Sequence, residues 1–327
     1  MKSLNLRSSA LSILTLVATS AATAAPSITF DSAAMRSAQD LNAYTTYEVK
    51  APLIASAGAA TAVAEHLFEL SGQASSVELK QSPSGRFGYV DADDRSASFY
   101  YSPATGDITF TRGMQDYTAE MNTPGLPERA EAIELAKEYL ADLGLLPEHG
   151  AEMVVNEVGS LNMSVVREDG TTGDYRKQVS VYFSRQINGV DVVGTGSKMI
   201  VHLGTHGELA GLIRRWSEVE ATPAAPAAFI LSSQVRGRMA AQLDKDWREA
   251  SEIVAETPRM VIYDDGHGVL EPAYVTDSKV YHDTPNAPRM EDKSQGVIPA
   301  IHATRAWYAQ QEKAQAEPQR VARAQTH

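Results

Sequence analysis

The chain has 327 residues, 29 Lys plus Arg, 41 Asp plus Glu, no Cys, 43% hydrophobic residues and a formal charge of −12. That length and apolar content support more than one buried core, and an acidic balance without any block of Lys or Arg argues against binding a row of phosphates in nucleic acid. The absence of cysteine removes disulfide frameworks, cysteine nucleophiles and thiolate-held metals, and leaves the compartment to be read from elsewhere.

The compartment is read from residues 1–25. Lys2 and Arg7 precede the apolar run LSILTLVA (11–18), and a small-residue stretch containing Ala22-Thr23-Ala24 leads to Pro26. The run is shorter than the ~20 residues of a membrane span, so the pattern is that of a secretory signal peptide. The expectation is an exported protein, periplasmic or secreted, that does not span a membrane.

Breakers then divide the chain. MNTPGLP (121–127) and ATPAAPAA (221–228) have the Pro and Gly density of linkers, and QEKAQAEPQRVARAQTH (311–327) is a polar tail. The expected modules are 26–120, 121–222 and 223–285, followed by a partly disordered extension over 286–327. In the first, APLIASAGAATAVAEHLFELSG (51–72) predicts a helix, with Pro52 in its first turn, Val63, Leu67 and Leu70 at helical spacing and Gly72 as the stop. Strands are predicted at Val77–Lys80, Arg86–Val90, Ser96–Tyr101 and Asp107–Arg112, with turn residues between them.

The second module repeats the order. A helix after Pro127 places Ile133, Ala136, Leu140 and Leu143 on one face, with Gly144 beyond. Strands follow at Met153–Val158 and 178–187, then the hairpin signal Asn188-Gly189, then 196–203 meeting 207–216 across Thr205-His206-Gly207. The third module begins with a helix capped by Ser232 or Ser233, with Val235, Met239, Leu243 and Trp247 at steps of four. It ends in RMVIYDD, a Gly266-His267-Gly268 turn and VLEPAYVTD. The fold class predicted is α+β, in repeated units of one helix packed on an antiparallel sheet. In such a unit the helix buries one face of the sheet and leaves the other open.

These residues carry a resemblance. The stretch 186–216, QINGVDVVGTGSKMIVHLGTHGELAGLIRRW, resembles the FTP motif of fungalysin and thermolysin propeptides. The segment from Ser232 to Asp277, with Leu270-Glu271-Pro272-Ala273-Tyr274, is similar to the PepSY domain that follows it in those propeptides. The resemblance covers roughly half of the chain beyond the signal peptide. It implies cystatin-like units in a non-catalytic module that assists the folding of a secreted zinc metallopeptidase or holds it inactive. The H-E-x-x-H helix of such a peptidase is missing: Glu65 precedes His66, and Leu67, Phe68 and Glu69 follow it. Peptidase activity is therefore not carried over. The last strand of a PepSY unit is hard to find after Tyr281, unless Val297–Ala303 supplies it.

Single constellations add little chemistry. His202 and His206 have a spacing that would suit zinc on a helix, but the first is expected in a strand and the second in a turn. Asp91, Asp93 and Asp94 lack the rest of a calcium loop, and Asp264-Asp265-Gly266 reads as a hairpin turn. Gly194-Thr195-Gly196-Ser197 does not open a helix, so it is no phosphate loop. Arg214, Arg215 and Trp216 form a cationic and aromatic group at a strand end, either meeting an acidic partner or covering the sheet edge. Of Phe99, Tyr100 and Tyr101, at least one ring is expected to face out.

The sequence therefore supports an exported binding protein with no catalytic residue and no cofactor, acting as inhibitor or folding assistant of a secreted peptidase or another exported protein. Its candidate contact residues are Arg214, Arg215, Trp216 and Tyr274. Two alternatives stay open: a periplasmic metal-dependent hydrolase using His202 and His206, and a structural component of the cell envelope.

Overall fold

In the computed structural model the described residues are 25–31, 44–50, 54, 56–72, 76–113, 117–222, 229–284, 287–302 and 304–305. Nearly all of the segment expected to be a signal peptide, Pro52, most of the second expected linker and the polar tail lie outside them. The first module comprises β1 (Ser27–Phe30), β2 (Thr46–Val49), α1 (Ala57–Leu70), β3 (Lys80–Gln81), β4 (Phe87–Val90), β5 (Ser98–Tyr101) and β6 (Ile108–Thr111). The second comprises α2 (Arg129–Asp142), β7 (Met153–Val166), β8 (Thr172–Ile187), β9 (Val190–Gly194), β10 (Lys198–Leu203), β11 (Leu209–Arg215) and β12 (Val219–Thr222). The remainder forms α3 (Ser232–Asp246), β13 (Glu252–Ala255), β14 (Arg259–Asp264), β15 (Val269–His282) and β16 (Met290–Pro299).

Local chemistry sets most of these limits. Ser56 caps α1 by accepting the Ala59 N–H at 3.2 Å, and Gly72 follows it with a φ of 77°, the left-handed stop that glycine takes without steric penalty. Asn188 and Gly189 both have positive φ, 52° and 77°, as a tight hairpin turn between β8 and β9 requires. The start of α3 differs from expectation: Leu231 occupies the cap position, so Ser232 and Ser233 lie inside the first turn and no side chain caps the helix.

The described strands form one sheet, in the order β1-β13-β15-β14-β9-β8-β10-β11-β6-β5-β4-β3, with β2, β7, β12 and β16 paired alongside. This is a mixed α+β fold with a large sheet and three α-helices among the described residues. The ladders run across the linker positions. β11 pairs antiparallel with β6, β14 pairs parallel with β9, β1 pairs parallel with β13, and β2 joins both β12 and β15. β16 lies within the segment expected to be a C-terminal extension. It pairs with β15 along its whole length, from His282↔Met290 to Ala273↔Pro299.

The cores follow from this arrangement. α1 and α2 supply Leu67, Phe68 and Leu140 to one face of β5, β6, β11, β10 and β8, where they meet Phe99, Phe110, Leu212, Val201 and Phe183. Phe68 stands edge-on to both Tyr89 (5.3 Å) and Phe110 (5.1 Å), contacts that contribute roughly 0.5–1.5 kcal/mol each beyond area burial. α3 covers a different stretch of sheet with Val235, Met239 and Leu243 against Ile253, Val280 and Ile298. A small cluster of Tyr47, Ile187, Val192, Val219, Ile262 and Leu270 fills the junction between these cores.

Candidate functional site: the uncovered sheet face and its cleft

Successive strand residues point to opposite faces, so the strands covered by α1 and α2 also present a second face. Along β10 the alternation is complete. Met199, Val201 and Leu203 are buried under the helices, whereas Lys198, Ile200 and His202 are half-exposed on the other side. Register extends this across the sheet. One row runs Lys80, Gly88, Tyr100, Thr109, Ile213, Ile200, Tyr182, Glu157, crossing eight strands from β3 to β7. A second runs Val90, Ser98, Thr111, Gly211, His202, Ser180, Gly159. Among the described residues, α1 and α2 pack on the opposite face and no helix covers these rows.

Glycines keep this face flat. A Cβ on Gly88 would lie 3.0 Å from the Tyr100 ring, one on Gly211 3.1 Å from the His202 ring, and one on Gly159 3.4 Å from the Tyr182 ring. Each ring thus settles over a neighbouring strand where a side chain would otherwise stand. Tyr100 is 40% exposed, between the buried Phe99 and Tyr101, so one ring of that triplet does face out. His202 Nδ1 shares a 2.8 Å hydrogen bond with the Ser180 hydroxyl, and burial holds its pKa below the usual histidine value, favouring the neutral ring.

At one margin of the face, two motifs distant in sequence meet. The loop Gly194-Thr195-Gly196-Ser197 closes over the turn that begins at Asp264. Thr195 N–H donates to the Asp264 carbonyl at 3.0 Å, Thr195 Oγ1 to the Asp265 carbonyl at 2.8 Å, and Ser197 Oγ to the Asp264 carboxylate at 2.6 Å. The loop reaches this depth because it carries glycine: a Cβ on Gly196 would lie 2.2 Å from the Asp264 carboxylate. Burial raises the Asp264 pKa, against the lowering effect of hydrogen bonds from Ser197 and the Gly266 N–H. Beside this contact lie two cavities of about 260 and 280 Å³, both lined by Thr105, Asp107, Gly196, Arg215, Gly266 and His267. A larger open hollow of about 620 Å³ sits at the β3–β4 end, lined by Lys80, Arg86 and Tyr100 among others.

The expected contact residues divide sharply. Arg214 is 2% exposed and Trp216 1%, so they are interior groups and not part of a surface patch. Arg214 donates to the carbonyls of Leu145 (3.1 Å) and Trp216 (2.6 Å), and burial lowers its pKa. The Trp216 ring lies under the Arg185 guanidinium at 4.9 Å, and Arg185 is ion-paired with Glu152 at 2.6 Å. Tyr274 is buried beneath α3. Arg215 alone reaches the surface, at the cleft. The physical reason is the period of two: neighbours on a strand cannot share a face.

The metal candidates are also separated. His202 lies on the flat face against Ser180, whereas His206 has a φ of 53° in its turn and rests against Gly125 on another loop. Among the described residues no group of three His, Cys, Asp or Glu side chains could hold a metal ion. The carboxylate of Asp91 accepts the N–H groups of Asp93 (2.9 Å) and Asp94 (2.8 Å), so this acidic stretch is a self-bonded turn. The Asp264 contact has no signature in the sequence, where Asp264-Asp265-Gly266 reads as a hairpin turn and Gly194-Thr195-Gly196-Ser197 as a strand-flanked stretch.

No family model matches the sequence, and no curated protein does. Among solved structures, an uncharacterized protein from Eubacterium rectale is similar, with a TM-score of 0.48 at 10% identity, covering 80% of this chain and 84% of that one. No helix among the described residues is long and apolar enough to cross a membrane.

Proposed function

We propose that the chain is an exported, non-catalytic binding protein, similar in role to a metallopeptidase propeptide, that holds a secreted peptidase or another exported protein against its uncovered sheet face. In this reading the helix-on-sheet stretches are cystatin-like and PepSY-like units fused through a common sheet. One observation carries the proposal: the row from Lys80 to Glu157 has Tyr100, Ile213, Ile200 and Tyr182 between polar ends, and among the described residues no helix lies over it or over the row beside it. Flat faces with ring anchors inside a polar rim suit protein contact. A deep, enclosed pocket with converging titratable groups is what chemistry would call for instead.

The test is complex formation with peptidases secreted by the same cells, measured by size-exclusion chromatography, residual proteolysis and refolding yield. A stoichiometric complex is expected, weakened at least about tenfold by Tyr182→Arg at the centre of the face. Loss of proteolysis in that complex marks an inhibitor, and a higher refolding yield of active peptidase marks a folding assistant. Absence of any complex, or turnover by the isolated chain, overturns the proposal. Export itself is checked by N-terminal sequencing of the protein recovered outside the cytoplasm, with a start near Pro26 expected.

A further inference from the structure

We infer that the margin of the uncovered face is built to hold an extended, acidic segment of a partner polypeptide, with its carboxylates seated on Arg86, Arg215 and Lys198. The inference rests on the docking reading above and names the chemistry of what docks.

In a chain of net charge −12, cations are outnumbered and should find acids easily. Elsewhere many do: Arg112 pairs with Glu208, Arg167 with Glu120, Arg185 with Glu152, Arg289 with Glu252 and Arg305 with Glu48. Interior Lys177 and Arg214 instead donate to backbone carbonyls. Arg86, Lys198 and Arg215 have neither an ion pair nor a side-chain hydrogen bond among the described residues, and they gather in one place. Arg86 and Arg215 line the same cavity, and Lys198 lies directly opposite Arg215 in the β10–β11 ladder.

Like charges facing each other across a ladder repel. Lys198 shows the consequence, its pKa lowered first by burial and then by Arg215, with only partial relief from the Asp264 carboxylate nearby. An anion bound there would relieve that repulsion. The same margin also carries acids. Asp265 accepts the His267 N–H at 2.9 Å, while Asp107 lines both cavities with Arg215. Asp107 interrupts the basic row and so disfavours a continuous polyanion, favouring a ligand whose negative charges are spaced.

The spacing follows from sheet geometry. Arg86, just before β4, and Arg215, on β11, are three strand steps apart in the order β4-β5-β6-β11, about 14 Å. An extended chain advances ~3.3 Å per residue, so residues i and i+4 are ~13 Å apart and point the same way. The fitting ligand is therefore an extended segment with two acids four residues apart.

The test uses the full chain and three fluorescent Gly/Ser peptides: two Glu four apart, two Glu adjacent, and two Lys four apart, read by fluorescence anisotropy at low and physiological salt. The spaced-Glu peptide is expected to bind at least about tenfold more tightly than the Lys peptide, to weaken with salt, and to lose about tenfold on R86A/R215A while R86K/R215K retains binding. Circular dichroism and melting of both variants check that the fold is intact. Equal binding of the Lys peptide, or unchanged affinity in R86A/R215A, overturns the inference. Tighter binding of a sulfated glycan chain than of any Glu peptide also overturns it, in favour of a polyanion site. If a peptidase complex forms while no acidic peptide binds, this inference fails and the docking reading stands. If the peptide binds as described and no protein complex forms, the site stands and the docking reading fails.

Discussion

Arg214 and Arg215 are neighbours in sequence and opposites in environment. Arg214 points toward the helix-covered face, clamped on the carbonyls of Leu145 and Trp216, whereas Arg215 stands at the edge of the open face, facing Lys198. The strands around them divide in the same way, with Val201, Leu212 and Phe110 sealed beneath helices and Ile200, Ile213 and Thr109 outside. One side of these strands is devoted to stability. On the other, Ser180 and Gly211 are buried, but half-exposed positions such as Ile200 and Ile213 are open to change, which is the condition for a surface to acquire a partner.

Substitutions can break that contrast, the largest effect coming from the covered side. Phe110→Ala should destabilise by about 3–5 kcal/mol in urea unfolding, because a void opens against Phe68. Ile213→Ala, one ladder away on the open face, should cost under about 1 kcal/mol. Comparable losses at the two positions would refute the division. Arg214→Ala should cost roughly 2–4 kcal/mol by leaving two carbonyls without their donor, against about 0.5 kcal/mol or less for Arg215→Ala. Thermal melting of the pair decides it.

The cleft sharpens the comparison at smaller scale. Gly196→Ala forces a methyl group into the Asp264 carboxylate and should lower stability by roughly 1–3 kcal/mol. Asp264 itself has a folded-state pKa raised above its ordinary value of 3.8. The native chain therefore retains a proton that the unfolded chain has released. Its stabilising effect is fully present below about pH 4 and is lost as pH rises through the raised pKa. Asp264→Asn should flatten that decline. Chemical denaturation across a pH series measures both.

Much of this was legible in the chain. The strands from Arg86 to Arg112, the Asn188-Gly189 turn and the apolar steps Val235, Met239, Leu243 are local signals that mark the elements they predict, whereas the strand expected at Val77–Lys80 is reduced to the pair Lys80–Gln81. Pairing between distant strands has no such signature. Nothing in Val190–Gly194 announces a parallel neighbour in Arg259–Asp264, and the polar β16 reads as a tail until its ten pairs with β15 are seen. A single patch of Arg214, Arg215 and Trp216 is at odds with the same strand period that turns Tyr100 away from Phe99 and Tyr101. The cleft stayed hidden because it is a product of topology.

The pairing of β1 with β13 has its own consequence for how the molecule is assembled. Ser27 takes Glu252 as its partner, so β1 is completed only by a strand far along the chain. Until then its backbone donors and acceptors are satisfied by water. Closure of that seam is a long-range event, whose entropic cost grows only slowly with the length of chain it closes. A bulky fusion ahead of β1 should slow docking of that seam more than one placed at an internal turn, a difference that refolding kinetics would measure.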